Sequence, residues 1–254
     1  MPSSDAIVIG GGVNGLACAA RLAGSGRRVT LVEAAEPVGG GAGAREVAPG
    51  YFAPALAHST QGIDARVMAG MDLARHGLAF HAPLATTVLS PDGDHLTVRG
   101  GRTDGPDAAA YAALHRKLSD FARVLAPFRM MTPPRLTKDG NQWGRLARHG
   151  LCVRAQGGSD SRALLRMVLI NVADVLEDDL TDDRLKGALA FDATLGAWLG
   201  PRSPNSLILL LNRLSMGGAF GIPKDGMGAV ASAMHTALIA AGGAVRTSAA
   251  VAGI

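Results

Sequence analysis

Three glycines with the spacing Gly-x-Gly-x-x-Gly lie at Gly10, Gly12 and Gly15. Glycine permits a tight turn at the first position, and the missing Cβ at the second lets a phosphate approach the main chain. The third lets a helix pack closely on a sheet. The N–H groups of Val13, Asn14 and Gly15 would start that helix, where the helix dipole favours an anion. The spacing therefore predicts a site for the pyrophosphate of a dinucleotide.

A carboxylate and a second group of glycines follow this motif. Glu33 comes 18 residues after Gly15, and a carboxylate at that distance can accept hydrogen bonds from both ribose hydroxyls of an adenosine. It would also repel a 2′-phosphate, which disfavours NADP at this site. Residues 39–43 form a second glycine loop. We expect this loop to run beside the pyrophosphate and ribityl chain of a longer cofactor.

The segments around the motif are those that must position it. Residues 5–9 form a short apolar run typical of a buried parallel strand. Residues 16–23, rich in Ala and Leu, predict a helix, and residues 28–33 predict a second strand. The glycine spacing alone is a weak signal, because the chain contains 34 glycines. The full order of strand, glycine turn, helix, strand and terminal Glu33 is a strong one.

Residues 5–43 resemble the FAD site of the phytoene-desaturase and amine-oxidase group of flavoproteins. More narrowly, they are similar to the phytoene desaturase and carotenoid isomerase-related family that includes pyridine nucleotide-disulfide oxidoreductase domain-containing protein 2. The resemblance rests on the fingerprint, on Glu33 and on the pair Gly39 and Gly40. It implies FAD as cofactor and an apolar or polyene-like small substrate. The cofactor-binding residues it implies are Gly10, Gly12, Val13, Asn14, Gly15, Glu33, Ala34, Gly39, Gly40, Gly41, Ala42 and Val251.

The same resemblance implies an α/β fold with a Rossmann-like FAD-binding domain, built on a parallel sheet and interrupted by a mixed α+β substrate domain. Residues 1–83 would form the first segment of the FAD domain, residues 84–221 the substrate domain, and residues 222–254 the return to the FAD domain. In the substrate domain, residues 85–89 and 95–99 predict a hairpin, and residues 107–126, 161–176 and 181–195 predict helices.

The return segment and the length of the chain carry two further expectations. A helix over residues 229–241 and a strand from residue 244 would lead to Val251, whose main chain touches the adenine by resemblance. Members of the similar family are about twice as long. We therefore expect a fragment or one half of a split enzyme that needs a complementing C-terminal chain, and the resemblance to an enzyme family leaves catalysis by this chain open.

Two other functions stay open at this point. One is a non-catalytic nucleotide-binding half that only assembles with a partner, and the other is an NAD-dependent dehydrogenase using the single fingerprint. No catalytic acid or base is visible in the sequence. The seven His residues show no metal-binding spacing, so we expect no metal site. His58 fits a flavin-side loop or, better, an ordinary surface loop.

Composition excludes several classes. A hydrophobic content of 48% is high enough for a folded core. The basic residues, 21 Arg and four Lys, are scattered, which predicts no nucleic-acid partner despite a net charge of +4. Cys18 and Cys152 form no CxxC pair, and we expect Cys18 to pack against the sheet. No apolar run approaches the length of a membrane helix, about 18 residues, and no signal peptide is predicted. We expect a cytoplasmic protein.

One apolar run allows three interpretations. Residues 207–211 are Leu-Ile-Leu-Leu-Leu, and Leu214, Met216 and Phe220 follow at close spacing. The run favours an ordinary core, but it also fits an apolar substrate channel or weak contact with a membrane surface.

Overall fold

The computed structural model describes residues 3–60, 63–130, 158–216 and 221–254, together with Gly144, Ala147 and Leu151. The chain forms two compact units. The first comprises Met1–Leu84 with Gly218–Ile254, and the second comprises Ala85–Gly217. The sequence placed the interrupting domain at residues 84–221.

A three-stranded parallel sheet lies at the centre of the first unit. Its strands are β1 (Ala6–Ile9), β2 (Val29–Val32) and β8 (Ala244–Arg246), in the order β1-β2-β8. Ile7 pairs with Thr30, which pairs in turn with Ala244. Because residue 244 follows residue 32 by more than two hundred positions, the second unit is inserted between two neighbouring strands of one sheet.

Two helices cover one face of this sheet. Helix α1 (Val13–Ala23) and helix α8 (Gly228–Ala240) pack on each other and on the strands. The small side chains Ala19 and Ala20 on α1, and Ala233 and Ala237 on α8, allow the close approach. The fully buried members of this core include Leu16, Leu31, Val230 and Leu238. Helix α1 starts three residues before the predicted residue 16, since the turn that precedes it is itself short.

The first unit holds elements that the sequence did not predict. A two-stranded antiparallel hairpin, β3 (Ala44–Ala48) and β4 (Tyr51–Pro54), follows the second glycine loop. A short helix, α2 (Ala65–Gly70), begins at Asp64, whose carboxylate caps its first turn. The hairpin turn contains Gly50, whose φ of +78° suits glycine. Its strands carry no regular alternation of apolar and polar residues, which is why pattern reasoning missed them.

The second unit combines a small sheet with a helical cluster. Strands β5 (Thr86–Val88), β6 (Leu96–Arg99) and β7 (Arg102–Thr103) form an antiparallel meander. The helices described in this unit are α3 (Ala108–Leu125), α4 (Gly158–Leu169), α5 (Val172–Asp179), α6 (Asp183–Thr194) and α7 (Leu207–Ser215). Short 3-10 helices occur at Ala126–Met130 in this unit and at Gly40–Ala42 in the first.

Two predictions about the helices of the second unit are wrong. The single helix expected over residues 161–176 is two helices, with a break before α5. Asn171 is the N-terminal cap of α5, because its side chain accepts a hydrogen bond from the Asp174 N–H. Helix α4 begins at Gly158, before the expected cap at Asp160 or Ser161. The cap of α6 is Asp182, within the predicted Thr-Asp-Asp start.

Three leucines of the run at residues 207–211 belong to the core, and Ile208 and Leu209 are half-buried. Leu207, Leu210 and Leu211 are buried within the second unit. These side chains therefore offer no surface for contact with a membrane; Phe220 lies outside the described residues. In the part of the chain that the structure describes, no helix is long and apolar enough to cross a membrane.

Cys18 is exposed on α1, so its expected packing against the sheet is wrong. The helix turns its small residues Ala19 and Ala20 to the core instead. Cys152 lies outside the described residues. His58 is exposed in a loop.

Candidate dinucleotide-binding site

The fingerprint turn joins the end of β1 to the start of α1. Gly10 has a φ of +100°, a conformation that glycine adopts without strain, and its N–H donates to the carbonyl oxygen of Val32 at 2.8 Å. Gly12 is the N-terminal cap of α1, with extended backbone and no side-chain capping bond. The first N–H groups of the helix, at Val13, Asn14 and Gly15, therefore lie at a helix start that no side chain caps.

Gly15 is required by close packing. A Cβ built on this residue would lie 1.9 Å from the carbonyl oxygen of Gly10, well inside any real contact. Because the obstruction is backbone, it cannot move aside without opening the turn. The predicted role of Gly15, close approach of helix to strand, agrees with this geometry.

Gly12 differs, because a Cβ there would meet no atom within 4 Å. The space in front of the turn is thus open to a ligand. The second glycine loop closes one side of it: the N–H of Gly39 donates to the carbonyl oxygen of Gly11 at 2.8 Å, and a Cβ on Gly40 would lie 3.2 Å from the Gly12 Cα. Gly39 and Gly40 have φ values of +141° and +52°, so both positions favour glycine.

The Glu33 carboxylate lies at the end of β2 and contacts the glycine turn. Oε2 accepts a hydrogen bond from the Gly11 N–H at 2.5 Å, and Oε1 accepts one from the Ala35 N–H at 2.9 Å. These main-chain donors, Ala35 first and Gly11 next, lower the pKa of Glu33 below its ordinary value. The group is therefore ionised and fixed in place, and each oxygen keeps a lone pair for a further donor such as a ribose hydroxyl.

The chain after β8 lies along the residues that follow Glu33. The Ala249 N–H donates to the Glu33 carbonyl oxygen at 2.9 Å, and the Ser248 N–H donates to the Ala35 carbonyl oxygen at 3.4 Å. Val251, two residues further on, is 42% exposed, and the strand that starts at residue 244 ends at Arg246, before it reaches Val251. The structure still brings this segment, which comes from the far end of the chain, next to the end of β2.

The predicted residues thus separate into two groups. Gly10 to Gly15, Glu33 and residues 39–42 meet in one place, and Ala34 is exposed beside them. Val251 lies two residues beyond Ala249 and, among the described residues, forms no main-chain hydrogen bond with the turn. Sequence reasoning missed Gly11, whose added Cβ would lie 2.9 Å from Val38 Cγ1. The run of three glycines at residues 10–12 was its signal.

This cradle fits the pyrophosphate of a dinucleotide. Glycine leaves the main-chain N–H groups of the turn open to a phosphate, and the uncapped start of α1 favours a negative charge. The ionised carboxylate of Glu33 lies at the end of the second strand, where this type of site binds the ribose of the adenosine. Among the residues that the structure describes, no group of three or more His, Cys, Asp or Glu side chains could hold a metal ion.

Comparison with known proteins decides the family. The family described as DAO, FAD dependent oxidoreductase, matches residues 5–254. The chain belongs to this family. As in the rest of the family, the dinucleotide is FAD, and the mixed α/β fold with a parallel sheet is the FAD-binding oxidoreductase fold.

Several relatives match nearly the whole length of this chain. Pyridine nucleotide-disulfide oxidoreductase domain-containing protein 2 of Rattus norvegicus is 25% identical over 99% of the chain and 48% of its own length. An uncharacterized protein of Mycobacterium tuberculosis is 30% identical over 96% of the chain and 47% of its own length. A solved triple mutant of putrescine oxidase has a TM-score of 0.57 at 16% identity, covering 98% of this chain and 51% of that one. The chain spans about half the length of the relatives it matches.

Proposed function

We propose that this chain holds the adenosine diphosphate part of FAD in an oxidoreductase of the phytoene desaturase-related type. The observation that carries the proposal is the packing of the second glycine loop on the fingerprint turn, through Gly39 and Gly40 against Gly11 and Gly12. A single fingerprint serves any dinucleotide, whereas a second glycine-rich segment beside it lengthens the cradle along the cofactor. When bound, FAD supplies the redox chemistry by accepting a hydride from the substrate.

Each residue of the cradle has a definite task. The N–H groups of Val13, Asn14 and Gly15 hold phosphate oxygens, and Gly12 leaves room for them. Glu33 orients the adenosine through the ribose hydroxyls, and it is positioned for this by the Gly11 and Ala35 N–H groups. The segment at residues 248–251 borders the adenine side.

The proposed substrate is a small apolar molecule, and the proposed reaction is dehydrogenation or isomerisation. The support is the resemblance of residues 5–43 and the similarity to pyridine nucleotide-disulfide oxidoreductase domain-containing protein 2. The cytoplasmic location stays a prediction, supported by the low cysteine content, and cell fractionation with an antibody to the chain would test it.

We further propose that catalysis requires polypeptide that this chain does not span. The support is the length of the relatives, of which the chain covers about half. A chain that only binds the nucleotide and assembles with such a polypeptide is the second candidate, and the same observation favours it.

Calorimetric titration of the purified chain tests the nucleotide proposal. FAD, ADP-ribose, NAD and NADP are titrated separately, and bound flavin is checked by its visible absorbance. We expect FAD and ADP-ribose to bind and NADP to bind at least tenfold more weakly, since Glu33 opposes a 2′-phosphate. Tighter binding of NADP than of ADP-ribose, or no binding of any adenine dinucleotide, would reject the proposal.

A further inference from the structure

Asn14 and Gly15 form an Asn-Gly pair in the first turn of α1, inside the fingerprint. The chain has five asparagines, and no other is followed by glycine. In such a pair the main-chain nitrogen of the glycine can attack the side-chain carbonyl carbon of the asparagine, because glycine has no Cβ to hinder that nitrogen. The sequence therefore places the chemistry for spontaneous loss of a side-chain amide within the fingerprint.

The structure leaves both reacting groups free. In the part of the chain that the structure describes, the carboxamide of Asn14 is exposed and makes no hydrogen bond. The Gly15 N–H has no main-chain acceptor there either, since the first helical bond of α1 runs from the Leu16 N–H to the Gly12 carbonyl oxygen at 2.9 Å. The Gly15 nitrogen can therefore turn toward the Asn14 side chain without losing a hydrogen bond of its own, unlike a nitrogen in the middle of a helix.

The fold requires glycine at position 15. A Cβ there would lie 1.9 Å from the Gly10 carbonyl oxygen, so the turn does not accept a larger residue that would hinder the attack. The tight packing of the fingerprint thus keeps the least hindered neighbour beside an exposed asparagine.

We propose that Asn14 is a deamidation site and that a bound dinucleotide protects it. The Gly15 nitrogen forms a bond with Cγ of Asn14 and gives up its proton, the bond between Cγ and Nδ2 breaks, and Nδ2 leaves as ammonia. Water then opens the cyclic imide at one of its two carbonyl carbons, which yields aspartate or isoaspartate at position 14. Ammonia is exchanged for water, and no group is oxidised or reduced.

The new carboxylate acts differently on folding and on binding. A negative charge in the first turn of a helix is favourable for the helix dipole, so the chain with aspartate at this position stays folded. The same charge lies beside the N–H groups that are proposed to hold the pyrophosphate, and it repels that ligand. This consequence rests on the proposed function.

Protection by the cofactor follows from the same geometry. With a dinucleotide bound, a phosphate oxygen accepts the hydrogen bond of the Gly15 N–H, and the nitrogen is no longer free to attack. A chain that has lost its cofactor is therefore the one that is modified, and after modification it binds the cofactor more weakly. The Asn-Gly pair acts as a timer on the empty site.

The test ages the purified 254-residue chain at mildly alkaline pH, with and without ADP-ribose, and follows position 14 by peptide mapping with mass spectrometry. We expect Asn14 to convert faster than Asn171, Asn205 and Asn212 in the free chain. ADP-ribose at about ten times its Kd should slow the conversion of Asn14 about tenfold, because the free fraction of the chain falls by that factor. The rates at the other three asparagines should not change, which separates a protected site from a chain that unfolds less often.

Two substitutions separate the modification from its effect on binding. Asn14→Asp imitates one product, and it should bind ADP-ribose at least tenfold more weakly than the fresh parent, a loss of about 1.4 kcal/mol or more. Its melting temperature should be no lower than that of the parent. Asn14→Gln has a longer side chain that closes the imide ring more slowly. After ageing, this variant should keep the affinity of its own fresh sample, whereas the parent should lose affinity in proportion to the converted fraction.

Three results overturn the inference: an unmodified Asn14 in the aged free chain, equal conversion with ADP-ribose bound, or parent-like affinity of a folded Asn14→Asp chain. Calorimetry on the fresh parent separates this inference from the proposed function. A fresh parent that binds no ADP-ribose rejects the proposed function, and with it protection by the cofactor. ADP-ribose binding by the fresh parent, together with an intact Asn14 after ageing, rejects the deamidation site alone.

Discussion

The fingerprint glycines differ in what a side chain would meet at each position. At Gly15 an added Cβ would collide with the Gly10 carbonyl, while at Gly12 it would enter open space. The same residue type thus serves the fold at one position and leaves room for a ligand at the other. The Glu33 carboxylate is bound to the same turn, since it accepts a hydrogen bond from the N–H of Gly11, the residue before Gly12.

This contrast gives a prediction that separates binding from folding. Gly12→Val should fold normally but lose FAD or ADP-ribose affinity by well over tenfold, more than about 1.4 kcal/mol, because its side chain occupies the space of a phosphate oxygen. Gly15→Ala should lower the melting temperature, since its Cβ cannot fit against Gly10. Calorimetry and thermal unfolding measure the two effects. Native affinity in a folded Gly12→Val chain would remove the phosphate site from this turn.

The second prediction concerns the ribose. Glu33→Ala should weaken ADP-ribose binding by at least tenfold, because the variant removes charge-assisted hydrogen bonds. An analogue of ADP-ribose that lacks the 2′-hydroxyl of the adenosine should bind the parent chain more weakly, but it should bind Glu33→Ala as well as ADP-ribose does. Since main-chain donors lower the pKa of Glu33, the parent should keep its affinity down to about pH 5. If the analogue binds more weakly than ADP-ribose by the same factor in both chains, the proposed contact between Glu33 and the ribose is contradicted.

At the scale of elements, a buried carboxylate joins two helices of the second unit. Asp107, at the start of α3, accepts hydrogen bonds from the Thr181 N–H and hydroxyl at 2.7 Å each and from the Asp182 N–H at 2.6 Å. Asp182 in turn caps α6 and pairs with Arg184. The start of α6 is thus held by a residue 74 positions earlier in the chain.

Asp107→Ala should therefore lower the melting temperature of the second unit at pH 7 by several degrees. The N–H of Asp182 and the hydroxyl of Thr181 lower the pKa of Asp107, so its contribution is present above the unfolded pKa, about 4, and is lost as pH falls through the folded pKa. The difference between variant and parent should shrink toward pH 2. Asp120→Ala, an exposed control on the same helix, should behave like the parent.

A further prediction concerns His115 on α3 and the turn at Gly101. The His115 ring stands edge-on to Tyr111 at 5.9 Å between centroids, and a Cβ on Gly101 would lie 2.6 Å from its Nδ1. Burial lowers the pKa of His115, so the folded state favours the neutral ring. The contribution of the neutral ring to the free energy of unfolding is complete above about pH 6.5, the pKa of an unfolded His, and is lost as the pH falls through the pKa of the folded state.

His115→Gln should therefore flatten the dependence of stability on pH between 7 and 5. Urea unfolding followed by circular dichroism measures it in both chains. An equal slope in the His115 variant would contradict a difference between the pKa values of this ring in the folded and unfolded states.

At the scale of the whole molecule, two units have separate cores and the chain spans about half the length of its relatives. We predict that the chain alone binds adenine nucleotides weakly and shows no oxidoreductase turnover, because the ring of the flavin needs an apolar enclosure and hydrogen bonds at its nitrogens. By resemblance, these groups belong to the part of the family fold that the chain does not span. Steady-state flavin reduction by a verified monomer tests this, and robust turnover with retained yellow cofactor would contradict it.

The sequence by itself determined the local chemistry of the site. The tight turn, the missing side chains and the carboxylate of Glu33 all lie within about thirty residues of each other, and such short-range constraints can be read from spacing. The strand, helix and strand around them follow from apolar pattern alone, as do the hairpin β5–β6 and the helices α3 and α8.

Tertiary structure alone decided which distant segments complete the site and which faces stay bare. The bonds from Gly39 to Gly11 and from Ala249 to Glu33 join positions whose spacing carries no signal, because main-chain pairing is independent of side-chain type. The break at Asn171 came from a local cap that outweighed the apolar pattern of one long helix. The apolar pattern of β1 predicted a buried parallel strand, and only the packed strands and helices reveal that Ile7 and Ile9 are exposed in the described chain.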